Sequence, residues 1–178
     1  MNPRIRVATN LDRDDIRDVY LSAFPESESQ LVATLAIDLL CEETNAGVIA
    51  LVAEVGDGVA GHVAFSPVTA DTNRIWLGYI LSPLGVKPEY QKRGIGSRLI
   101  ESGLERLSEK GVNVVFVYGD PKYYGKFGFR SEAAVKFLPP YELHYPFGWQ
   151  AMVLREDCSN EQAFRISCVA SLRDPALW

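Results

Sequence analysis

The sequence predicts an α/β domain built around one mixed β-sheet with helices packed on it. Three observations lead there. Apolar residues recur with a period near two in some stretches and near 3.6 in others. The run Val112 to Tyr118, between Gly111 and Gly119, is mostly β-branched, as expected of a strand buried on both faces. Read in order, the segments give β-α-α-β-β-β-α-β-α-β-β, the alternation of an α/β domain.

Each element has its own local reason. Arg4 to Ala8 reads as a short strand. Asp12 is a plausible N-cap for a helix to Ala23, with Ile16, Val19, Tyr20 and Phe24 at helical spacing. Pro25 breaks that helix, and Ser27 or Ser29 is expected to cap a second, whose stripe is Leu31, Leu35, Leu39 and Leu40. Val48 to Val55 and Val59 to Val68 are β-rich and flank the turn Gly56-Asp57-Gly58, so they are expected to pair as a hairpin. Arg74 to Val86 is the next strand. The period then changes: Ile95, Leu99, Gly103 and Leu107 share one helical face, Glu101, Glu105 and Glu109 lie opposite, and Gly111 closes the helix. A short helix is expected over Pro121 to Phe127, and late strands over Trp149 to Leu154 and Phe164 to Ser171.

Composition narrows the function. A chain of 178 residues, 47% apolar and 23% charged, suits one domain with a sizeable core. No apolar run approaches the ~20 residues that cross a bilayer, and Met1 to Thr9 lacks an apolar signal region, so a cytoplasmic protein is expected. Cys41, Cys158 and Cys168 are odd in number with no CxxC spacing, which fits reduced thiols. His62 and His144 share no ligand spacing, so no metal is expected. A net charge of −5 argues against a general nucleic-acid binder. Against that acidic background, Lys87, Lys92, Arg93 and Arg98 are opposed only by Glu89, which suits one turn to a polyanion.

That turn is Val86-Lys87-Pro88-Glu89-Tyr90-Gln91-Lys92-Arg93-Gly94-Ile95-Gly96-Ser97. A strand ends, a loop follows, and an amphipathic helix begins at a glycine pair. Free N–H groups and the helix dipole attract an anion there, and glycines let a diphosphate approach the backbone. A P-loop would need Gly-Lys-Ser/Thr, but Ser97-Arg98 follows Gly96. A Rossmann fingerprint would need glycine where Leu99 stands and a first glycine directly after the strand.

Gln-x-x-Gly-x-Gly after a Leu-x-Val strand end resembles the acyl-CoA signature of the GNAT superfamily, so a single-domain GNAT fold is implied over residues 1–155. Residues 156–178 would be a strand or tail completing or extending it. The resemblance implies that Leu84, Gly85 and Val86 pair with the pantetheine arm of acetyl-CoA. It assigns Gln91, Lys92, Arg93, Gly94, Ile95, Gly96 and Ser97 to its pyrophosphate. A second string, Gly119-Asp120-Pro121-Lys122-Tyr123-Tyr124-Gly125-Lys126-Phe127-Gly128-Phe129, resembles the Tyr-x-x-x-Gly-Phe pattern of the same superfamily and a bacterial subgroup of predicted N-acetyltransferases. There Tyr124 is the implied general acid, a phenol able to protonate a departing thiolate. Gly119, Asp120 and Phe127 are placed beside the cofactor, and Tyr123, Phe127 and Phe129 in the core.

The implied activity is transfer of acetyl from acetyl-CoA to a primary amine by direct attack in a ternary complex. The other two readings are an acyl-CoA-sensing module, which needs no Tyr124, and a different α/β nucleotide-binding enzyme. Trp76 to Val86 holds no Asp, Glu or His, where many GNAT enzymes keep a base. Glu26, Glu28 and His62 are the candidates left. The loop Pro139-Pro140-Tyr141 with His144-Tyr145-Pro146 is expected to line the acceptor pocket. The resemblance allows a homodimer.

Overall fold

The computed structural model describes residues 2–70, 76–156 and 163–178. Arg74, the expected start of the third long strand, and Cys158 lie outside the described residues. The elements run β1 (Arg4–Val7), α1 (Arg13–Ala23), α2 (Glu26–Cys41), β2 (Ile49–Val55), β3 (Gly58–Ala70) and β4 (Gly78–Val86). There follow α3 (Ile95–Glu109), β5 (Val114–Tyr118), α4 (Pro121–Tyr124), β6 (Phe137–Leu138), β7 (Trp149–Val153) and β8 (Phe164–Ser167).

The sheet has the order β1-β2-β3-β4-β5-β7, and β8 joins the far end of β3 while also pairing with β6. The β2–β3 hairpin turns through Gly56 at φ 62°, the place where a tight hairpin needs a residue free of a Cβ. β4 and β5 are parallel, which demands a crossover, and α3 provides it. On β3, Val63 and Phe65 belong to the core under α3, and Ala64 and Val68 to the core that holds Leu35 and Leu39 of α2. β5 divides the same way, Val115 and Val117 against Val114 and Phe116, so it is buried on both faces as its composition predicts. Gly103 lets α3 lie against the sheet: a Cβ there would stand 2.1 Å from the Phe65 ring.

Several local expectations are corrected. α2 is capped by neither serine; it begins at Glu26 with Pro25 at the cap, because the Pro25 carbonyl accepts from the N–H of Glu28 and Ser29 at 2.9 and 2.8 Å. Ser29 lies buried inside the helix. Asp12 occupies the N-cap of α1, but its carboxylate turns away from the helix amides to Arg6, accepting from Nη1 and Nη2 at 2.8 and 2.7 Å. The last strand ends at Ser167, where the chain coils into a 3₁₀ turn over Ala170–Leu172. Beyond it Trp178 is buried, donates from Nε1 to Leu172 O at 3.0 Å and stacks on Tyr118 with ring centres 6.3 Å apart. Tyr123 and Phe127 are only partly buried, and of the three expected core aromatics Phe129 alone is fully enclosed.

Arg6 also donates to Glu54 from Nε at 2.6 Å, tying β1, β2 and the start of α1 together. The Arg6 hydrogen bonds hold the Asp12 carboxyl at about 2, below its ordinary 3.8. A depressed carboxyl stabilises the fold above its unfolded pKa and loses that contribution as pH falls through the folded value. The full shift is discounted because Arg6 is 29% exposed and its field is screened, leaving about 1 kcal/mol. Urea titrations of wild type and Asp12→Asn should therefore converge by about this amount between pH 4 and pH 2. Parallel curves would remove the ion pair from the account.

Candidate active site

The β4–β5 ladder is short. It pairs Gly78 through Leu81 with Val114 through Val117 and then stops. On its other side β4 stays paired, with Leu84, Gly85 and Val86 opposite Val63, His62 and Gly61. Between the two stretches the register with β3 slips, since Phe65 faces Leu81 and Val63 faces Leu84. β4 thus carries one extra residue at Ser82 and Pro83, and such a bulge bends a strand away from its neighbour. Pro83 has no N–H to offer β5. Lys87 donates its N–H to Ala60 O at 2.9 Å, so alternation turns the main-chain groups of Leu84 and Val86 away from β3 and into the gap.

Two clefts meet at this gap, and Leu84 lines both. The first, of about 530 Å³, is walled by Leu84, Gly85, Val86, Gln91, Lys92, Gly94, Ile95, Gly96 and Ser97, together with Tyr90, Tyr123 and Lys126. Lys92 at φ 58° and Gly94 at φ 78° both take the left-handed conformation, which turns the loop into α3. No side chain caps that helix, and the Arg98 N–H, bonded to Gly94 O at 3.1 Å, is the first to bond inside it. The preceding amides are the anion-attracting ones. Gly96 lets the Tyr123 hydroxyl come close, since a Cβ would lie 2.6 Å from it and force that side chain to shift. Gln91 braces the loop by donating from Nε2 to Val86 O at 2.9 Å.

Other expected residues fall elsewhere. Arg93 lies outside that lining, its guanidinium 6.0 Å from the Tyr90 ring centre. Asp120 caps α4, accepting from Lys122 N–H at 2.9 Å, and Gly119 bonds through its N–H to Gly148 O at 3.0 Å. Phe127 packs on the core edge and meets the Tyr123 ring at 5.7 Å. Tyr124 lines the second cleft, of about 310 Å³, and packs edge-on against Tyr123 and Phe129 at 5.1 and 6.0 Å. Burial pushes its hydroxyl well above the ordinary phenol range, so it stays protonated.

Of the candidate bases, Glu28 lines the second cleft; Glu26 lines neither. His62 is fully buried beside α1, its Nδ1 2.8 Å from the Tyr20 hydroxyl and its Nε2 without a partner among the described residues. Burial lowers its pKa to about 3, and it lines neither cleft, so it has no reach to a substrate there. The proline-rich loop lies apart from both clefts, with Pro139, Tyr141 and Pro146 lining a separate groove together with Trp149 and Arg165. Among the described residues, no three of His, Cys, Asp and Glu cluster to hold a metal, and no helix is long and apolar enough to cross a membrane.

Residues 13–129 match the model of the acetyltransferase (GNAT) family. The chain belongs to the GNAT family. It is 38% identical over 134 residues to the uncharacterized N-acetyltransferase YjhQ of Escherichia coli (strain K12), covering 74% of this chain and 72% of that protein. Its fold is similar to the GNAT family N-acetyltransferase YhbS of Escherichia coli in complex with CoA, at TM-score 0.82 and 28% identity over 96% of this chain and 92% of that one. A GNAT family acetyltransferase of Brucella melitensis in complex with acetyl-CoA gives TM-score 0.69 and 28% identity, over 96% and 97% of the two chains. As a member of this family the protein is an acyltransferase.

Four residues of the two clefts were not expected there from the sequence. Tyr123 and Lys126 stand in the first cleft, and Ala176 and Leu177 wall the second. The doubled tyrosine was a signal for Tyr123; nothing local marked Leu177. The buried histidine makes a distinct prediction. A neutral His62 in the folded state costs stability as pH falls below 6.5, because the unfolded chain takes up a proton that the fold refuses until about pH 3. NMR titration should find its imidazole neutral at pH 5, and His62→Gln should flatten the stability slope between pH 6.5 and 4. A His62 that titrates near 6.5 would contradict the burial argument.

Proposed function

We propose that this protein is an N-acetyltransferase that binds acetyl-CoA along β4 and at the start of α3, and moves its acetyl group to a primary amine held in the second cleft. The observation that carries this is the junction of the two clefts at Leu84, beside Tyr124, where the β4–β5 ladder ends. The main-chain groups of Leu84 and the N–H of Val86, turned into the gap, suit the amides of a pantetheine arm, while the Val86 carbonyl is taken by Gln91. The uncapped turn from Gln91 to Ser97, with Lys92 and Lys126 at its rim, suits a diphosphate. That two structural relatives are complexes with CoA and acetyl-CoA supports a ligand of this class. Because Ala176 and Leu177 wall the acceptor cleft, the segment 163–178 is counted with the catalytic domain.

In this reading the neutral amine nitrogen attacks the acetyl carbonyl carbon. A C–N bond forms, the C–S bond breaks, and the nitrogen releases its proton to solvent. Tyr124, kept protonated by burial, gives its proton to the departing sulfur and recovers one from solvent. The clefts hold both reactants at once, so orientation supplies much of the rate.

Two variants test this. Gly94→Glu places a carboxylate where the diphosphate sits and forces a side chain onto a left-handed residue, so calorimetry should show CoA binding lost from a folded protein. Tyr124→Phe keeps the ring and should leave CoA affinity close to wild type while lowering turnover by roughly 10²–10⁴. Wild-type turnover in Tyr124→Phe would refute the acid role. Unchanged CoA affinity in Gly94→Glu would refute the diphosphate site.

A further inference from the structure

The second cleft carries information on the acceptor. One wall is a single face of α2, where Glu28, Leu31, Val32 and Leu35 follow the i, i+3, i+4, i+7 spacing. The bulged stretch Leu81 to Leu84 lines it too, as do Tyr118 and Tyr124. Leu177 also lines the cleft, held there because the neighbouring Trp178 stacks on Tyr118 and bonds to Leu172 O. Main-chain groups of the open β4 edge also face the cleft, and its polar side-chain groups number four among the described residues. They are the Glu28 carboxylate and the hydroxyls of Ser82, Tyr118 and Tyr124, and the Tyr118 hydroxyl already accepts from Tyr145 N–H at 3.0 Å.

The charge pattern is one-sided. Among the described residues, Glu28 is the single charged group lining the cleft, and no Lys, Arg or His lines it. Glu28 is exposed at the rim and makes no ion pair among the described residues. A ligand bearing a carboxylate or phosphate would enter without a cation to meet it and would face Glu28, a costly burial of unpaired charge. A polyamine would find one carboxylate for several ammonium groups and would desolvate the rest against leucines. A monoamine with a compact apolar body meets the Glu28 carboxylate and the leucine side chains without leaving a charge unpaired.

Resting on the function proposed above, we infer that the acceptor is a small primary monoamine whose apolar body carries no acidic group. Glu28 draws its ammonium to the rim, and Leu31, Leu35 and Leu177 enclose the body. The same apolar walls disfavour the charged form of the amine once it is inside, which promotes loss of its proton. This accounts for a cleft that, among the described residues, no buried carboxylate or imidazole lines as a dedicated base.

The test measures thiol release at saturating acetyl-CoA with phenethylamine, with phenylalanine (the same body plus a carboxylate) and with spermidine. Phenethylamine should exceed both others at least tenfold in kcat/KM. Glu28→Gln should raise the KM for phenethylamine about tenfold relative to the KM for acetyl-CoA. Leu177→Trp should lower the ratio of phenethylamine to ethylamine kcat/KM at least tenfold, a ratio that partial loss of folded protein does not move. Equal or better turnover of phenylalanine or spermidine, or an unchanged ratio in Leu177→Trp, overturns the acceptor class and leaves the transferase reading standing. A protein that binds CoA by calorimetry yet acetylates none of these amines, nor any of a broad amine panel, overturns both.

Discussion

From Ser82 to Val86 the fourth strand has a strand neighbour on one side only, and the rest of the molecule is arranged around that open edge. An unpaired strand edge inside a domain is costly, because each main-chain N–H and C=O removed from water needs a partner. The open stretch is therefore short, lies in a cleft, and is partly satisfied by Gln91, whose side chain takes the Val86 carbonyl. The bulge at Ser82 and Pro83 is its local cause. Upstream of it β4 and β5 are zipped in parallel and buried on both faces, which fixes where the separation begins.

Each neighbouring feature follows from this separation. The loop after β4 turns back through two left-handed residues and aims the start of α3 along the open edge. α4 packs where β5 has moved away, and it brings Tyr123 to one cleft and Tyr124 to the other. Adjacent residues on one short helix thus serve different spaces. Gly96 and Gly119 admit those rings, since a Cβ at either would stand 2.6 or 2.5 Å from a tyrosine atom. Electrostatics agree with the division. Lysines line the cleft suited to an anion, and a lone glutamate lines the other. Behind both, the Tyr20–His62 pair is enclosed and neutral, so it adds no charge of its own to the site.

Much of this was legible in the sequence, and the reason is local. The β-branched run at 112–118, the period of α3 and the Gly94–Gly96 pair are short-range patterns whose outcome depends on backbone conformation and on one buried face. The segment 86–97 therefore read correctly as a loop entering a helix start. Errors fell where a long-range partner decided the matter. Asp12 has the residue type of a helix cap, but Arg6 on β1 offers a charged, bidentate partner that the helix amides cannot match. Tyr123 resembles a core aromatic until α3 is placed beside its hydroxyl. The proline-rich loop resembles a pocket wall, but the sheet carries it to another groove.

By itself, then, the sequence determined the fold class, the order of most elements, the loop that enters α3 and the tyrosine at the end of α4, because each is encoded within about a dozen residues. Tertiary structure alone decided which of those residues share a cavity. Leu177 and Glu28 lie almost 150 residues apart, and no periodicity links them. They wall the same cleft because Trp178 stacks on Tyr118 at the end of β5 and α2 lies over the same side of the sheet. His62 likewise has the chemistry of a base in the sequence, and only its burial under Tyr20 removes it from reach. A site in this fold is an intersection of distant segments, and distances between such segments are set by packing, which local pattern does not record.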